Sequence, residues 1–304
     1  MVEYKGKEVI LMACSSCNIK KCEHCYISYE GDRTPSELKE IATKLAETYE
    51  VYINGAEVLV NKEYFDSYKI VNQNWMLTNG FEIYRNPDIL DYLKERGIEI
   101  VEMSYHFGIQ DKISKINNAM LEKNIEYLKE KGMKFKLLVT ISTDNYNMID
   151  RMCEKAVELG AYGIEFTNFL NQGNAKNMDS SNLLNAEQIS NFFDQLLAVR
   201  KKYPKEQLVI DRSGLFGKNN NSSSCHFNCP AGTDMVVVTP DNNVYSCLFL
   251  AKPGLEIGKL ENGKILLNES IDNDGNLCLA QELCNNNNEE FVSCILVNDV
   301  KQKY

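Results

Sequence analysis

Short apolar runs alternate with longer stretches of helical periodicity over the first two thirds of this 304-residue sequence. The apolar runs lie near residues 9–13, 51–60, 74–79, 98–104, 134–142 and 162–167, and the helix-periodic stretches near 34–46, 62–72, 86–96, 112–131, 147–159 and 185–202. Gly97, Gly132 and Gly160 each stand where a helix would end before the next strand. Six strand-helix units predict an α/β fold with a parallel sheet, either open and doubly wound or closed toward a barrel.

The pattern changes beyond about residue 205. Asn-rich stretches follow, and the clearest local signal is a β-hairpin around Asp241–Asn243. We therefore predict a strand-helix domain over residues 1–205 and a smaller extension over 206–304. Both parallel architectures place functional loops at the carboxyl ends of their strands, and a cysteine-rich stretch directly follows the first apolar run.

Composition and charge exclude several functions. The sequence is 44% hydrophobic, yet it contains no apolar run of the ~18 residues that a membrane span needs. Its formal net charge of -10 and the lack of a Lys/Arg-rich block argue against a nucleic-acid partner. We expect a cytoplasmic protein that binds neither nucleic acid nor membrane.

The cysteines indicate metal chemistry. Eleven cysteines are many for a cytoplasmic protein, in which thiols stay reduced. Cys14, Cys17, Cys22 and Cys25 lie within twelve residues, which favours a metal or cluster site. Zinc is one alternative, but the two halves of a zinc site are usually further apart. Three ligands and a spare cysteine suit an iron-sulfur cluster, because an iron without a thiolate can bind a substrate or cofactor.

The residues around these cysteines resemble the signature of the radical S-adenosylmethionine (SAM) superfamily. Asn18 follows the first cysteine of the signature, His24 precedes the last, and Tyr26 follows it. The resemblance implies a partial (β/α)6 TIM-like barrel with a 4Fe-4S cluster and SAM as cofactors. It assigns the cluster to Cys17, Cys22 and Cys25.

The spacing departs from the family pattern by one residue. Four residues separate Cys17 from Cys22, where the family usually has three. Cys14 is therefore an alternative first ligand.

The same resemblance implies residues that contact the cofactor at the ends of successive strands. Gly55-Ala56-Glu57 resembles the Gly-Gly-Glu motif that binds the amino group of SAM, since a carboxylate suits an ammonium group. After the fifth strand, hydroxyl and amide groups suit the ribose, although capping of the next helix would explain them equally well. The complete set of expected cofactor contacts is His24, Tyr26, Gly55, Ala56, Glu57, Ser104, Ser142 and Asn145.

A second cysteine group lies near the carboxyl end. Cys225-x3-Cys229-x17-Cys247 encloses the predicted hairpin and resembles the SPASM or twitch extension of radical SAM proteins. Asn242 stands where that family usually has Gly, and Asn tolerates the left-handed turn conformation. The resemblance implies at least one auxiliary 4Fe-4S cluster, with ligands drawn from Cys225, Cys229, Cys247, Cys284 and Cys294.

Relatives with such extensions mostly modify peptides, so we expect hydrogen abstraction from a peptide and maturation by crosslinking, epimerisation or oxidation. The first barrel strand begins within ten residues of Met1. A separate leader-recognition protein or the barrel itself would therefore bind the peptide, and a flavodoxin or ferredoxin would supply electrons. The alternatives are a radical SAM dehydrogenase or cyclase acting on a small molecule, and a non-enzymatic iron-sulfur or zinc module. No catalytic residue is assigned.

Overall fold

In a computed structural model, the chain is described over residues 1–19, 22–170, 172–178, 182–213 and 231–269. The strands are β1 (Val2–Glu3), β2 (Glu8–Met12), β3 (Glu50–Asn54), β4 (Trp75–Thr78), β5 (Ile100–Ser104), β6 (Lys134–Ile141), β7 (Gly163–Asn168), β8 (Val209–Ser213), β9 (Met235–Val238), β10 (Asn243–Tyr245), β11 (Gly258–Glu261) and β12 (Lys264–Leu267).

The α-helices are α1 (Pro35–Ala46), α2 (Phe65–Tyr68), α3 (Phe81–Arg85), α4 (Ile89–Glu95), α5 (Gln110–Ile113), α6 (Asn118–Glu130), α7 (Ile149–Glu158) and α8 (Ala186–Lys202). Short 3-10 helices cover Val58–Val60, Lys62–Tyr64, Gly173–Asn177 and Leu248–Leu250. No helix in these ranges is both long and apolar enough to cross a membrane.

Two sheets form the barrel wall. Strands β4 to β8 make a five-stranded sheet in sequence order, and every neighbouring pair is parallel. Strands β2 and β3 are also parallel and lie in a second, curled sheet. The predicted α/β class and partial barrel are therefore confirmed. Strand β8 was not predicted, and it extends the parallel sheet past residue 205.

The carboxyl-terminal strands continue the second sheet. Its seven strands have the order β1-β12-β11-β10-β9-β2-β3. Strand β9 pairs in parallel with β2 and antiparallel with β10, which confirms the predicted hairpin. Asn242 in its turn has φ +65°, the left-handed conformation expected of it. The division of the chain into domains at residue 205 stays a prediction.

Several element boundaries differ from the sequence pattern. The apolar run predicted as one strand over 51–60 is a strand only to Asn54, because the chain leaves the sheet at Gly55 and forms a 3-10 turn at Val58–Val60. The stretch predicted as helix over 112–131 is two helices, and Asn117 caps the second through Met120 N–H at 3.0 Å.

The core lies between the sheets and the helices that cover them. Helix α1 shows the pattern, since its buried residues are Leu38, Ala42 and Leu45, three and four positions apart. A capping box starts this helix: Glu37 N–H donates to Thr34 Oγ1, and Thr34 N–H donates to the Glu37 carboxylate. The helix therefore begins at Pro35, directly after the long cysteine-bearing loop.

Candidate functional site

The cysteine loop is closed at its base by backbone pairing. Cys14 and Asp32 form an antiparallel bridge, and the Ser15 and Ser16 amides each donate to Asp32 Oδ1 at 3.0 Å. The loop therefore leaves and re-enters the barrel at one point, immediately beyond the carboxyl end of β2.

Cys14 packs inside the protein. It is fully buried, and its thiol lies 3.6 Å from the Glu57 carbonyl oxygen. A Cβ added at Gly55 would approach Cys14 Sγ to 2.8 Å, so the glycine makes room for this side chain. Burial raises the pKa of the Cys14 thiol to about 12. These features are typical of a core cysteine.

The other three cysteines of the loop differ from Cys14. Cys17, Cys22 and Cys25 are each partly exposed. Burial raises the pKa of Cys17, and the nearby Cys22 and Cys25 thiolates raise it further, so the three thiols interact with one another. Mutual repulsion of this kind is relieved when a cation binds between the thiolates.

Glu57 organises the loops next to these thiols. It is only 1% exposed, and its carboxylate accepts hydrogen bonds from Leu59 N–H at 3.1 Å and Asn79 N–H at 2.7 Å. Thr78 Oγ1 also donates to it at 3.0 Å. Burial nevertheless raises the pKa of Glu57 to about 7. Contact between Glu57 and the SAM amino group stays a prediction. The hydrogen bonds from Thr78 and Asn79 to its carboxylate, at the end of β4, are observed.

Asn79 connects that network to the cysteine loop. Its side-chain amide donates to Asn18 Oδ1 at 2.9 Å and to Cys17 Sγ at 3.5 Å. Its Oδ1 accepts from Phe81 N–H at 2.8 Å, which orients the amide. The end of β4 therefore holds the first partly exposed cysteine of the loop.

His24 lies against a second histidine. Its Nδ1 is 2.9 Å from the Ile113 carbonyl oxygen, and its ring meets that of His106 edge-on at 4.5 Å between centroids. His106 Nδ1 accepts from Thr140 N–H at 3.2 Å. Burial lowers the pKa of both histidines, so both rings are neutral near pH 7. Through His24, the cysteine loop therefore contacts α5 and the turn after β5.

Tyr26 joins the loop to the carboxyl-terminal hairpin. Its ring packs edge-on against Phe249 at 5.6 Å. Burial raises the pKa of the Tyr26 phenol, and the negative charges of the Cys25 and Cys247 thiolates raise it further. Cys247 itself is 9% exposed. The predicted auxiliary ligands Cys225, Cys229, Cys284 and Cys294 lie outside the described residues.

The remaining predicted cofactor contacts lie at the ends of β5 and β6. Ser104 is the partly exposed last residue of β5. Asn145 is buried, and its amide accepts from Ser142 N–H and donates to the Thr140 carbonyl oxygen. Neither Ser142 nor Asn145 caps α7, whose N-cap is Met148, so the capping alternative is wrong. Both residues build the turn that precedes that helix.

Comparison with known proteins shows where this architecture recurs. No protein-family model matches the sequence, and no curated protein matches it. SuiB of Streptococcus suis bound to the precursor peptide SuiA has a similar structure, with TM-score 0.66 and 12% identity over 88% of this chain and 63% of SuiB. A second similar structure, anSMEcpe with bound AdoMet and Cp18Cys peptide, has TM-score 0.61 and 19% identity over 84% of this chain and 77% of that chain.

Both structures are radical SAM enzymes built on TIM-like barrels. This chain has the radical SAM fold. It covers less than two thirds of the length of SuiB. Identities of 12% and 19% establish the shared fold and leave the reaction and the substrate as proposals.

The residues at the mouth of this barrel fit a thiolate-ligated cluster and a polar cofactor. Three partly exposed thiols share one loop. Within the described ranges, the buried side-chain atoms without a partner in the protein include one in the cysteine loop, one at the end of β3 and one after β7: Asn18 Nδ2, Asn54 Oδ1 and Gln172 Nε2. Buried polar atoms normally pair, so a bound polar molecule would satisfy them. Over the same residues, no three His, Cys, Asp or Glu side chains already converge tightly enough to hold a metal ion.

The radical SAM fold brings a further segment to the site that was not predicted from sequence. After β7, the backbone N–H of Asn174 donates to the Cys25 carbonyl oxygen at 2.8 Å. Its side-chain amide donates to the Cys22 carbonyl oxygen at 3.2 Å. The only sequence signal was a glycine between amide residues, Gln172-Gly173-Asn174, just beyond the end of the sixth predicted strand.

Proposed function

We propose that this protein is a radical SAM enzyme in which Cys17, Cys22 and Cys25 ligate a 4Fe-4S cluster. The observation that carries the proposal is the contrast among four neighbouring thiols: Cys14 is buried in the core, whereas the other three are partly exposed in one loop at the mouth of a radical SAM barrel. A bound cluster would leave one iron free for SAM, whose reductive cleavage supplies a 5'-deoxyadenosyl radical for hydrogen abstraction.

The protein's own groups would hold and orient these cofactors. Asn79 fixes Cys17 from the end of β4. The unpartnered Asn54 and Gln172 amide atoms would bond to polar groups of SAM. Glu57 keeps the Gly55–Glu57 segment in place through Thr78 and Asn79, so that its backbone can approach the cofactor. A flavodoxin or ferredoxin would deliver the electron.

We propose a peptide as the substrate. Two solved structures with this fold, SuiB and anSMEcpe, contain bound peptides. Cys247 lies two residues before Phe249, whose ring packs against Tyr26, so an auxiliary cluster at Cys247 would lie close to the first cluster and would accept an electron from the substrate radical. A small-molecule substrate is the alternative that a substrate screen would reveal.

The test is SAM cleavage by the full chain after anaerobic reconstitution with iron and sulfide. With dithionite and SAM, we expect 5'-deoxyadenosine and, if the auxiliary cluster forms, about eight irons per chain. Cys25→Ala should abolish 5'-deoxyadenosine formation, because the cluster loses a ligand. Cys14→Ala should retain it, as should the matched control Cys153→Ala in buried helix α7.

The outcomes separate the ligand assignments. Loss of cleavage in Cys14→Ala, with Cys17→Ala still active, would make Cys14 the ligand. Bound zinc and no 5'-deoxyadenosine from the wild-type chain would contradict the proposed function.

A further inference from the structure

The turn that carries Cys22 and Cys25 is hydrogen-bonded to one residue in the loop after β7. Asn174 donates its backbone N–H to the Cys25 carbonyl oxygen at 2.8 Å and its side-chain amide to the Cys22 carbonyl oxygen at 3.2 Å. Within the turn, Cys25 N–H donates to the same Cys22 oxygen at 3.2 Å. Asn174 therefore ties both ligand-bearing residues to the loop after β7.

The neighbouring glycine permits this close approach. Gly173 has φ +55°, and a Cβ built there would lie 2.5 Å from the Cys25 carbonyl oxygen and 2.8 Å from the Ile27 carbonyl oxygen. Contacts that short do not occur between real atoms, and the clash involves backbone rather than a movable side chain. A larger residue at 173 would therefore push the two segments apart.

The opposite end of the loop is held separately. Asn79, which follows β4, donates to Cys17 Sγ. Asn174 follows β7, and strands β5 and β6 lie between β4 and β7 in the five-stranded sheet. The spacer between Cys17 and Cys22 has one residue more than the usual family pattern. Because Asn79 holds Cys17 and Asn174 holds the turn of Cys22 and Cys25, the longer spacer does not let the two ends of the loop move apart freely.

On these contacts we infer that the Gly173-Asn174 turn is a positioning element, which holds Cys22 and Cys25 in place before the cluster binds. The inference rests on the proposed function for the identity of the cluster, but the contacts themselves concern the chain alone. Ordering ligands in advance lowers the cost of binding, because less conformational entropy is lost when the metal arrives. Asn174 acts through the cysteines and contacts no reacting group in this scheme.

The first measurement uses the full chain without cluster. In hydrogen exchange, Asn174→Ala and the isosteric non-donor Asn174→Asp should speed exchange of the segment around Cys22–Ile27 roughly fivefold, the effect of losing one hydrogen bond. Asn177→Ala, an exposed residue of the same 3-10 segment, is the matched control. Gly173→Ala should have a larger effect than Gly132→Ala, which has a similar φ of +65° but open space around it.

The second measurement follows the cluster after reconstitution with iron and sulfide. We expect Asn174→Ala and Asn174→Asp to lose iron to a chelator several times faster than wild type and Asn177→Ala. The reduced cluster should also show a broadened or shifted EPR signal, which a general loss of stability would not produce.

The outcomes are distinct for the two proposals. If both Asn174 variants match Asn177→Ala in exchange, iron loss and EPR signal, the positioning inference is wrong, even where wild type forms 5'-deoxyadenosine. If wild type forms no 5'-deoxyadenosine, the proposed function is wrong, and the exchange measurement on the cluster-free chain still decides whether Asn174 orders the cysteine turn.

Discussion

At the scale of single residues, a buried arginine connects the cysteine loop to the hairpin. Arg33 is 4% exposed, and its Nε donates to the Met12 carbonyl oxygen at 3.2 Å. Its other nitrogens donate to Asn242 Oδ1 at 2.8 Å and to the Thr239 carbonyl oxygen. One side chain therefore satisfies acceptors at the end of β2 and in the β9–β10 turn.

We expect Arg33→Met to lower the free energy of unfolding by roughly 3 kcal/mol, because buried acceptors are left without donors while the side-chain volume is nearly kept. Urea denaturation of the cluster-free chain measures the change. Arg151→Met, on the exposed side of α7, is the matched control and should change stability little. Equal stability of the two variants would show that Arg33 is not structurally important.

Glu57 predicts a pH effect with a definite sign. Its pKa of about 7 in the folded protein exceeds its ordinary value of 4.5, so the folded chain holds the proton more tightly than the unfolded chain. The stabilisation that this proton gives the folded protein is therefore complete below about pH 4.5, and it is lost as the pH rises through about 7.

Since Gln does not ionise, Glu57→Gln should lack this dependence. We expect the stability difference between wild type and Glu57→Gln to shrink by up to ~3 kcal/mol between pH 5 and pH 8, measured by urea denaturation at both values. If the stability difference between wild type and Glu57→Gln grew with pH, the hydrogen bonds from Leu59, Thr78 and Asn79 would lower the Glu57 pKa by more than burial raises it.

At the scale of elements, a row of charged residues crosses four neighbouring strands. Lys136 on β6 lies 3.6 Å from Glu102 on β5 and 2.9 Å from Asp211 on β8, and it also pairs with Glu165 on β7. Lys136 is only 7% exposed. Even with the lysine present, burial raises the pKa of Glu102 to about 7. Lys136 thus interacts with three carboxylates, one on each of three other strands of the same sheet.

Lys136→Met should destabilise the protein by roughly 3–5 kcal/mol at pH 8, because the carboxylates lose their buried partner. The loss should be smaller at pH 5, where the raised pKa of Glu102 leaves that group mostly protonated. Thermal or urea unfolding of wild type and Lys136→Met at both pH values measures this loss of stability. Lys134→Met, at the exposed start of the same strand, is the control. Equal losses at both pH values would contradict the charge argument.

At the scale of the whole molecule, the extension and the barrel share a sheet. Strand β9 covers the edge of β2 over four residue pairs, and β1 at the amino end pairs with β12. Strand β2 is rich in buried apolar residues, and an exposed edge of this kind promotes aggregation.

We therefore expect the fragment 1–205 to be insoluble or to unfold without cooperativity, because it lacks β8 to β12. Expression of the fragment, with circular dichroism and size-exclusion chromatography beside the full chain, tests this. A monomeric fragment with a cooperative transition would instead support two independent domains divided at residue 205.

The local patterns account for much of this architecture. Apolar runs and helical periodicity predicted six strand-helix units, and Gly97, Gly132 and Gly160 were placed correctly at helix ends, where all three have positive φ. The hairpin and its left-handed Asn242 were also predicted. These features depend on neighbours in sequence, so a local pattern reveals them. The strand end at Gly55 followed only from the resemblance of Gly55-Ala56-Glu57 to a family motif, and the break at Asn117 was missed, because the apolar periodicity continues through both positions.

The sequence by itself determined the type of chemistry: four closely spaced cysteines after a buried strand, in an order that resembles the radical SAM signature. The resemblance assigned the cluster to the other three cysteines and left Cys14 as an alternative. Only the tertiary structure showed that Cys14 is the buried one of the four, since exposure depends on what packs against a side chain, here Gly55 and the Glu57 backbone. The same holds for Arg33, for the His24–His106 pair and for Asn174, whose partners are 149 and 152 residues away along the chain. Contacts of that range are set by strand order in the sheets, which no local pattern encodes.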